Sequence, residues 1–216
     1  MDILLKYFSD FTPRQIEQFT ALGDLYTEWN AKINVISRKD IDSLYEKHVL
    51  HSLSIAAAFH LPDGLQIVDI GTGGGFPGVP LAIFFPNIQF HLVDSIGKKL
   101  KIIEAIKEAT GLSNITTQHI RAEEITNRKF DFAVSRAVAP LKDLLKWSRP
   151  ILKNTSCQLR DETGEGKILR SGLICLKGGD LSQEIFESGA RPQMIEISNL
   201  FDEEFFKEKF LLYVPK

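Results

Sequence analysis

The sequence predicts an α/β fold: a doubly wound, mainly parallel sheet of seven strands behind an N-terminal helical extension. Three observations predict it. From about residue 66 onward, short apolar runs alternate with helical stretches, the pattern of βαβ units. The first of these runs opens into a glycine-rich turn and then a helix, at residues 67–78. The last two runs are joined by a short polar, acidic segment at 199–208, which suits an antiparallel pair closing one edge.

The chain has the size and composition for such a fold. Its 216 residues are 44% hydrophobic and 25% charged, ordinary values for one globular core. The two cysteines, Cys157 and Cys175, stand in no metal-ligand or redox spacing, which fits a reducing compartment. No apolar run reaches the length of a membrane span. The N-terminus, MDILLKYFSDF, mixes acids with its apolar residues, unlike a signal peptide. A cytoplasmic protein with no membrane partner is expected. The net charge of −2 argues against a protein that coats nucleic acid indiscriminately. The average hides an asymmetry, however: residues 121–177 carry 12 basic and 7 acidic side chains, while 178–216 carry 4 and 8. On charge alone that basic stretch reads as a solvated face, although its local field could hold a phosphate backbone.

The elements follow in order. Residues 1–62 read as a helical extension. Thr12-Pro13-Arg14-Gln15 combines an N-cap, a proline at the first helical position and a capping-box glutamine. Ile16, Phe19, Leu22, Tyr26 and Trp29 then recur at helical spacing. A second helix is expected from about 40 to 59, with Ile41, Leu44, Tyr45, His48, Ile55 and Phe59 roughly on one side. Pro62-Asp63-Gly64 marks the change of pattern, and the second domain runs over 63–216. Strands are expected at 66–70, 89–94, 115–119, 130–135, 172–177, 193–198 and 209–214, with helices near 78–85, 96–110, 140–153 and 180–188. Residues 154–170 are polar and rich in turn formers, and read as an exposed loop or hairpin. Their Gly164-Glu165-Gly166-Lys167 is no phosphate loop: no glycine stands five positions before Gly166, and no Ser or Thr follows Lys167.

The strongest local signal is Asp69-Ile70-Gly71-Thr72-Gly73-Gly74-Gly75-Phe76-Pro77-Gly78. A strand running into such a turn lets the backbone approach a ligand closely at a helix N-terminus. Five glycines in eight residues lose much chain entropy, so a turn without a ligand is a poor reading. Gly73, Gly75 and Gly78 satisfy G-x-G-x-x-G, so a dinucleotide site has to be weighed. Asp69, two residues before the first glycine, opposes it. The result is the D-x-G-x-G pattern typical of methyltransferases, and a carboxylate there suits a ligand carrying an ammonium group, as methionine does. Asp94 ends the second strand, where an acid can accept both ribose hydroxyls of an adenosine under either nucleotide reading. Arg121-Ala122-Glu123-Glu124 follows the third strand, where an amide and a carboxylate could meet adenine; alone it reads as an exposed helix start.

Ser135-Arg136-Ala137-Val138-Ala139-Pro140 follows the fourth strand, where the acceptor should meet the methyl group. The Asx-Pro-Pro-aromatic motif of enzymes acting on exocyclic amines is absent. Of the cysteines that attack on pyrimidine carbon would need, Cys157 lies in the polar segment and Cys175 sits mid-strand. A ring nitrogen such as guanine N7 needs neither device. Its lone pair is free, no proton has to leave first, and transfer requires chiefly positioning and electrostatics. Arg136 is the residue expected to carry the mechanism. It cannot act as a base. It could anchor an anionic group of the cofactor or of the acceptor, or bond guanine O6; a structural pairing with Asp131 or Glu123 is the alternative. His48 and His51 lack H-E-x-x-H spacing and read as packed or surface histidines, so no metal site is expected.

These pieces together resemble the glucose-inhibited division protein B family, bacterial methyltransferases acting on guanine N7 of small-subunit (16S) ribosomal RNA. The matching residues are Glu28-Trp29-Asn30-Ala31-Lys32-Ile33-Asn34, His48-Val49-Leu50-His51-Ser52-Leu53, the turn from Asp69 to Gly78, Val93-Asp94-Ser95-Ile96-Gly97-Lys98-Lys99, Ser135-Arg136-Ala137 and Leu176-Lys177-Gly178-Gly179. The resemblance implies a Rossmann-like methyltransferase sheet, S-adenosyl-L-methionine as cofactor and small-subunit ribosomal RNA as partner. It implies cofactor contacts at Gly71, Phe76, Asp94, Ser95, Ile96, Ala122, Glu123 and Arg136, beside Asp69 and Gly73 of the turn. It suggests that Arg136, Lys98 and Lys177 lie near the RNA, where Lys99 and the basic stretch 121–177 are expected to add to the RNA-facing surface. His51 stands where the family usually has Asp, residues 154–170 exceed the usual connection, and Glu208-Lys209-Phe210 lacks an Arg-His pair found in some members. A monomer is expected. An NAD-dependent oxidoreductase and a non-catalytic RNA-binding or ribosome-assembly protein are the alternatives.

Overall fold

The chain enters through α1 (Asp2–Leu5) and α2 (Pro13–Lys32) in the computed structural model, which describes residues 1–37, 39–160 and 166–216. Helix α2 starts at the expected cap. The Gln15 amide donates to Thr12 Oγ1 at 3.3 Å, and Gln15 Oε1 accepts from the Thr12 amide at 2.9 Å. The single helix expected at 40–59 is instead divided into a 3₁₀ turn (Ile41–Ser43), a π-helical turn (Tyr45–Leu50) and α3 (His51–Ala58). Side-chain anchoring accompanies the wider turn: Tyr45 Oη donates to the Phe19 and Thr20 carbonyls at 2.9 and 3.0 Å, and the Lys47 carbonyl accepts from Arg136.

Strands and helices then alternate as β1 (Gln66–Ile70), α4 (Gly78–Phe84), β2 (Gln89–Asp94), α5 (Gly97–Thr110), β3 (Ile115–His119), β4 (Phe132–Arg136) and α6 (Leu141–Ser148). After them come β5 (Ser156–Arg160), β6 (Gly166–Arg170), β7 (Gly172–Gly178), α7 (Ser182–Ser188), β8 (Gln193–Glu196) and β9 (Lys209–Pro215). Seven strands form one sheet in the order β3-β2-β1-β4-β7-β9-β8. Neighbours from β3 to β7 pair in parallel, and β9 runs antiparallel to both β7 and β8. Residues 154–170 contain a hairpin, β5 against β6, with Cys157 opposite Leu169. Its connecting residues 161–165, which include Gly164 and Glu165 of the rejected phosphate loop, lie outside the described residues.

Both faces of the sheet are covered, as parallel strands require. On one face Ile67, Phe90 and Phe132 pack with Phe19, Leu22 and Tyr26 of α2. On the other, Val68 and Ile70 pack with Leu141, Leu144 and Leu145 of α6. Each fully buried side chain of this size contributes about 1.5–3 kcal/mol, so α2 is held by its three inward residues rather than by helix propensity. The strand order reverses between β1 and β4. That switch point opens a crevice at the carboxyl ends of the strands, where the glycine turn lies.

Candidate functional site

The turn after β1 has a backbone that most residues cannot adopt. Gly71 has φ of +66°, and a Cβ added there would lie 2.6 Å from Val138 Cγ1. Gly78, at the start of α4, packs so closely that a Cβ would meet Asp69 Oδ2 at 2.7 Å. Asp69 is fully buried beneath this turn. Its Oδ2 accepts from Thr72 Oγ1 at 2.6 Å and from the Gly78 amide at 2.9 Å, while Oδ1 has no partner among the described residues. Burial pushes the carboxyl up to about 7, against the pull of those two donors and of Arg136. With no exposed surface, Asp69 braces the turn through Thr72 and Gly78, and a direct contact with a ligand's ammonium group would need the turn to open.

Asp94, at the end of β2, is likewise built into the backbone. Oδ2 accepts from the Gly73 amide and Oδ1 from the Ile96 amide, each at 2.8 Å. Each oxygen keeps a lone pair for a further donor. A cleft of about 410 Å³ is lined by Gly71, Gly73, Phe76, Asp94, Ser95, Ile96, Lys99 and Arg136. A hollow of about 100 Å³ adjoins it, sharing Gly71, Asp94 and Ser95 and adding Ala122 and Glu123 from the turn after β3. Lys98 is exposed and lines neither.

Arg136 is the last residue of β4 and sits where three groups hold it. Its Nη2 lies 2.9 Å from His48 Nδ1, its Nη1 donates to the Lys47 carbonyl at 3.2 Å, and its guanidinium carbon lies 4.9 Å from the Phe76 ring centroid. Asp131 is bonded to Lys153 at 2.8 Å and Glu123 lies 3.8 Å from Arg121, so neither structural partner weighed for Arg136 is the one it takes. Burial lowers the guanidinium to about 10, which leaves it cationic at neutral pH. Burial and the adjacent Arg136 push His48 down to about 3, so its neutral Nδ1 accepts the arginine bond. Ala137, next in sequence, has a φ of 52°, a strained value for a residue with a Cβ.

Lys177 is held in an ion pair. Its ammonium lies 2.6 Å from Glu184 Oε1 and donates to the Ala139 carbonyl at 2.5 Å, and its side chain is 9% exposed. Glu184 Oε1 also accepts from the Leu141 amide at 2.5 Å. The charge of Lys177 is therefore spent inside the protein, where it fixes the strained segment after Arg136.

Beyond Arg136 a larger cavity of about 700 Å³ opens, lined also by Lys47, His48, His51, Lys177, Phe205 and Lys209. Arg136, Ala137 and Val138 line both this cavity and the smaller cleft, so the two meet at the end of β4. Cys175 is buried in β7, its thiol pushed up to about 12, and neither cysteine lines this cavity. Three residues at the site escape the sequence reading, in which His48 and His51 are packing or surface residues and Tyr26 is core. Tyr26 Oη donates to the Gly74 carbonyl at 2.6 Å and its ring stacks on Phe76 at 4.8 Å. Only the His48 and His51 stretch of the family resemblance hints at them.

The sheet, the braced glycine turn and the cleft beside Asp94 define an S-adenosylmethionine-dependent methyltransferase of the Rossmann-like class. The fold is shared with a SAM-dependent methyltransferase from Aquifex aeolicus (TM-score 0.56, 14% identity, 83% of this chain and 98% of that one). It is shared too with a mutant of MtNAS in complex with S-adenosylmethionine (TM-score 0.59, 14% identity, 94% and 76%). The chain belongs to the GidB family, described as rRNA small subunit methyltransferase G, whose profile matches residues 15–160. Relatives named ribosomal RNA small subunit methyltransferase G extend the likeness over the whole chain. That of Phocaeicola vulgatus is 55% identical over 214 residues, covering 99% of this chain and 98% of its own. That of Cytophaga hutchinsonii is 48% identical over 215 residues, covering 100% and 99%.

Proposed function

We propose that the protein transfers the methyl group of S-adenosylmethionine to N7 of a guanine in the 16S RNA of the small ribosomal subunit. The observation that carries this reading is a cationic cavity beside the cleft at Arg136, whose lining carboxylates and His48 are already engaged and whose His51 is too weak a base to take a proton near neutral pH. Its two lining carboxylates are ion-paired, Asp40 with Lys47 at 2.8 Å and Glu184 with Lys177 at 2.6 Å. His48 gives its Nδ1 to Arg136 and does not protonate near neutral pH. A base whose acceptor atom carries a proton would need one of these groups free, or a His51 that burial had not pushed down to about 3; N7 needs neither. The family name supports ribosomal RNA as the acceptor.

The residues fit the cofactor. The cleft passes the end of β2, where Asp94 offers acceptor capacity to ribose hydroxyls, and the hollow by Ala122 and Glu123 suits the adenine. The unsatisfied Asp69 Oδ1 beneath the turn favours a cation above it. When bound, S-adenosylmethionine supplies an electrophilic methyl group on its sulfonium. Arg136, positioned by His48, Lys47 and Phe76, anchors an anionic group at the junction of cleft and cavity. Its positive charge would oppose a cation forming on the base, so anchoring is its role rather than transition-state stabilisation. Lys98 and Lys99 draw the RNA backbone. Residues 1–62 serve as an extension of the catalytic domain at 63–216, buttressing its turn through Tyr26, and the enzyme works as a cytoplasmic monomer. Incubating small subunits with the protein and methyl-labelled cofactor tests the reading: label in 16S RNA supports it, and label confined to protein or absent overturns it.

A further inference from the structure

We propose that Phe205 is the surface on which the acceptor base stacks, a role that rests on the reading of the reaction given above. Phe205 lies in a 3₁₀ turn (Glu204–Phe206) between β8 and β9. The turn is anchored by its neighbours: Phe206 is fully buried and Phe201 nearly so. Phe205 is left half-buried on the wall of the 700 Å³ cavity and is the one Phe, Tyr or Trp among the described residues that line it. The Lys209 ammonium lies 5.4 Å from its ring centroid, and that of Lys47, ion-paired to Asp40, lies at 5.9 Å. An aromatic face flanked by cations is how proteins hold an unpaired base, the ring taking the base and the cations its phosphates.

A second observation points the same way. His51 packs edge-on to Phe205 at 5.6 Å, and its Nε2 is buried without a partner among the described residues. Burial pushes this imidazole down to about 3, so the ring is neutral at physiological pH. Nε2 is therefore an unpaired ring nitrogen beside the platform, a hydrogen-bonding group a purine edge can use. The competing account makes Phe205 a lid on His51 and on Phe206, whose ring lies at 5.2 Å. Leucine fills a lid but cannot stack, which separates the two.

The test measures kcat and KM for small subunits, with cofactor affinity, in the wild type, Phe205→Leu and Phe205→Trp. Base–aromatic stacking should make the Leu variant's KM about tenfold higher, with kcat and cofactor affinity near wild type, and Trp should restore the wild-type KM. An unchanged KM in the Leu variant, a Trp variant as poor as Leu, or loss of cofactor binding in the Leu variant overturns the assignment. If the wild type transfers no methyl group, the reading of the reaction falls and the platform with it. If it does and Leu matches it, the platform alone falls.

Discussion

Arg136 Nη2 lies 2.9 Å from Nδ1 of His48, a histidine kept neutral by burial and by the arginine itself, so an imidazole from the N-terminal helices aims the guanidinium at the end of β4. Lysine at 136 keeps the charge but cannot reach His48, the Lys47 carbonyl and the Phe76 face together. Arg136→Lys should lower kcat/KM for methyl transfer by about a hundredfold, the loss of roughly 3 kcal/mol of charge-assisted hydrogen bonding, while the protein stays folded. Steady-state kinetics with thermal unfolding checks this; wild-type kinetics would make Arg136 structural.

Asp94→Ala should weaken S-adenosylmethionine binding by about 1.5–3 kcal/mol, as expected for losing hydrogen bonds to a charged acceptor. Part of that loss comes from freeing the Gly73 and Ile96 amides, which Asp94 now holds. Asp94→Asn separates the parts by keeping one acceptor oxygen. Calorimetric titration showing no change for Ala would remove Asp94 from the cofactor site.

Lys98 is exposed outside the cleft, whereas Lys99 lines it. Phosphate contacts release counterions, so Lys98→Gln should flatten the log–log salt dependence of RNA binding by about one unit and leave cofactor affinity intact. Lys99→Gln should alter both. Identical behaviour of the two variants would contradict this division.

Acid should destabilise the protein through its buried histidines. His51 is pushed down to about 3 in the folded state, mainly by burial. Unfolded, it titrates near 6.5, so below that pH the unfolded chain binds a proton that the folded chain refuses, and stability falls as pH falls. Asp69, raised to about 7, acts in the opposite sense: its contribution is full at low pH and is lost as pH rises through 7. His51→Asn should therefore lose less stability than wild type on going from pH 6.5 to 5, by up to about 1.4 kcal/mol per unit. Urea unfolding at both values checks it; parallel curves would mean that His51 is already protonated in the fold.

The sheet was legible in the sequence because its signals are local. Alternating apolar runs place β1 to β3 residue for residue, and the glycines of 71–78 announce a turn that other residues resist. The capping box at Thr12 locates α2 for the same reason. What escapes depends on contacts across the chain. Arg136 and His48 are 88 residues apart, and no periodicity announces their bond. The π turn at Tyr45–Leu50 follows from anchors at Phe19 and Thr20, which a helical pattern does not record. Lys177 reads as free in the sequence because its partner, Glu184, comes from a separate helix.

Methylation at N7 gives guanine a positive charge that makes its ring open to reduction, so the modified position becomes a site of strand scission with borohydride and aniline. Small subunits lacking the modification, incubated with the protein and S-adenosylmethionine, should acquire one new scission site in 16S RNA, at a guanine, only when both are present. Methyl incorporation without scission, with the label recovered as a guanine methylated at N1 or at its exocyclic amine, would contradict the central claim.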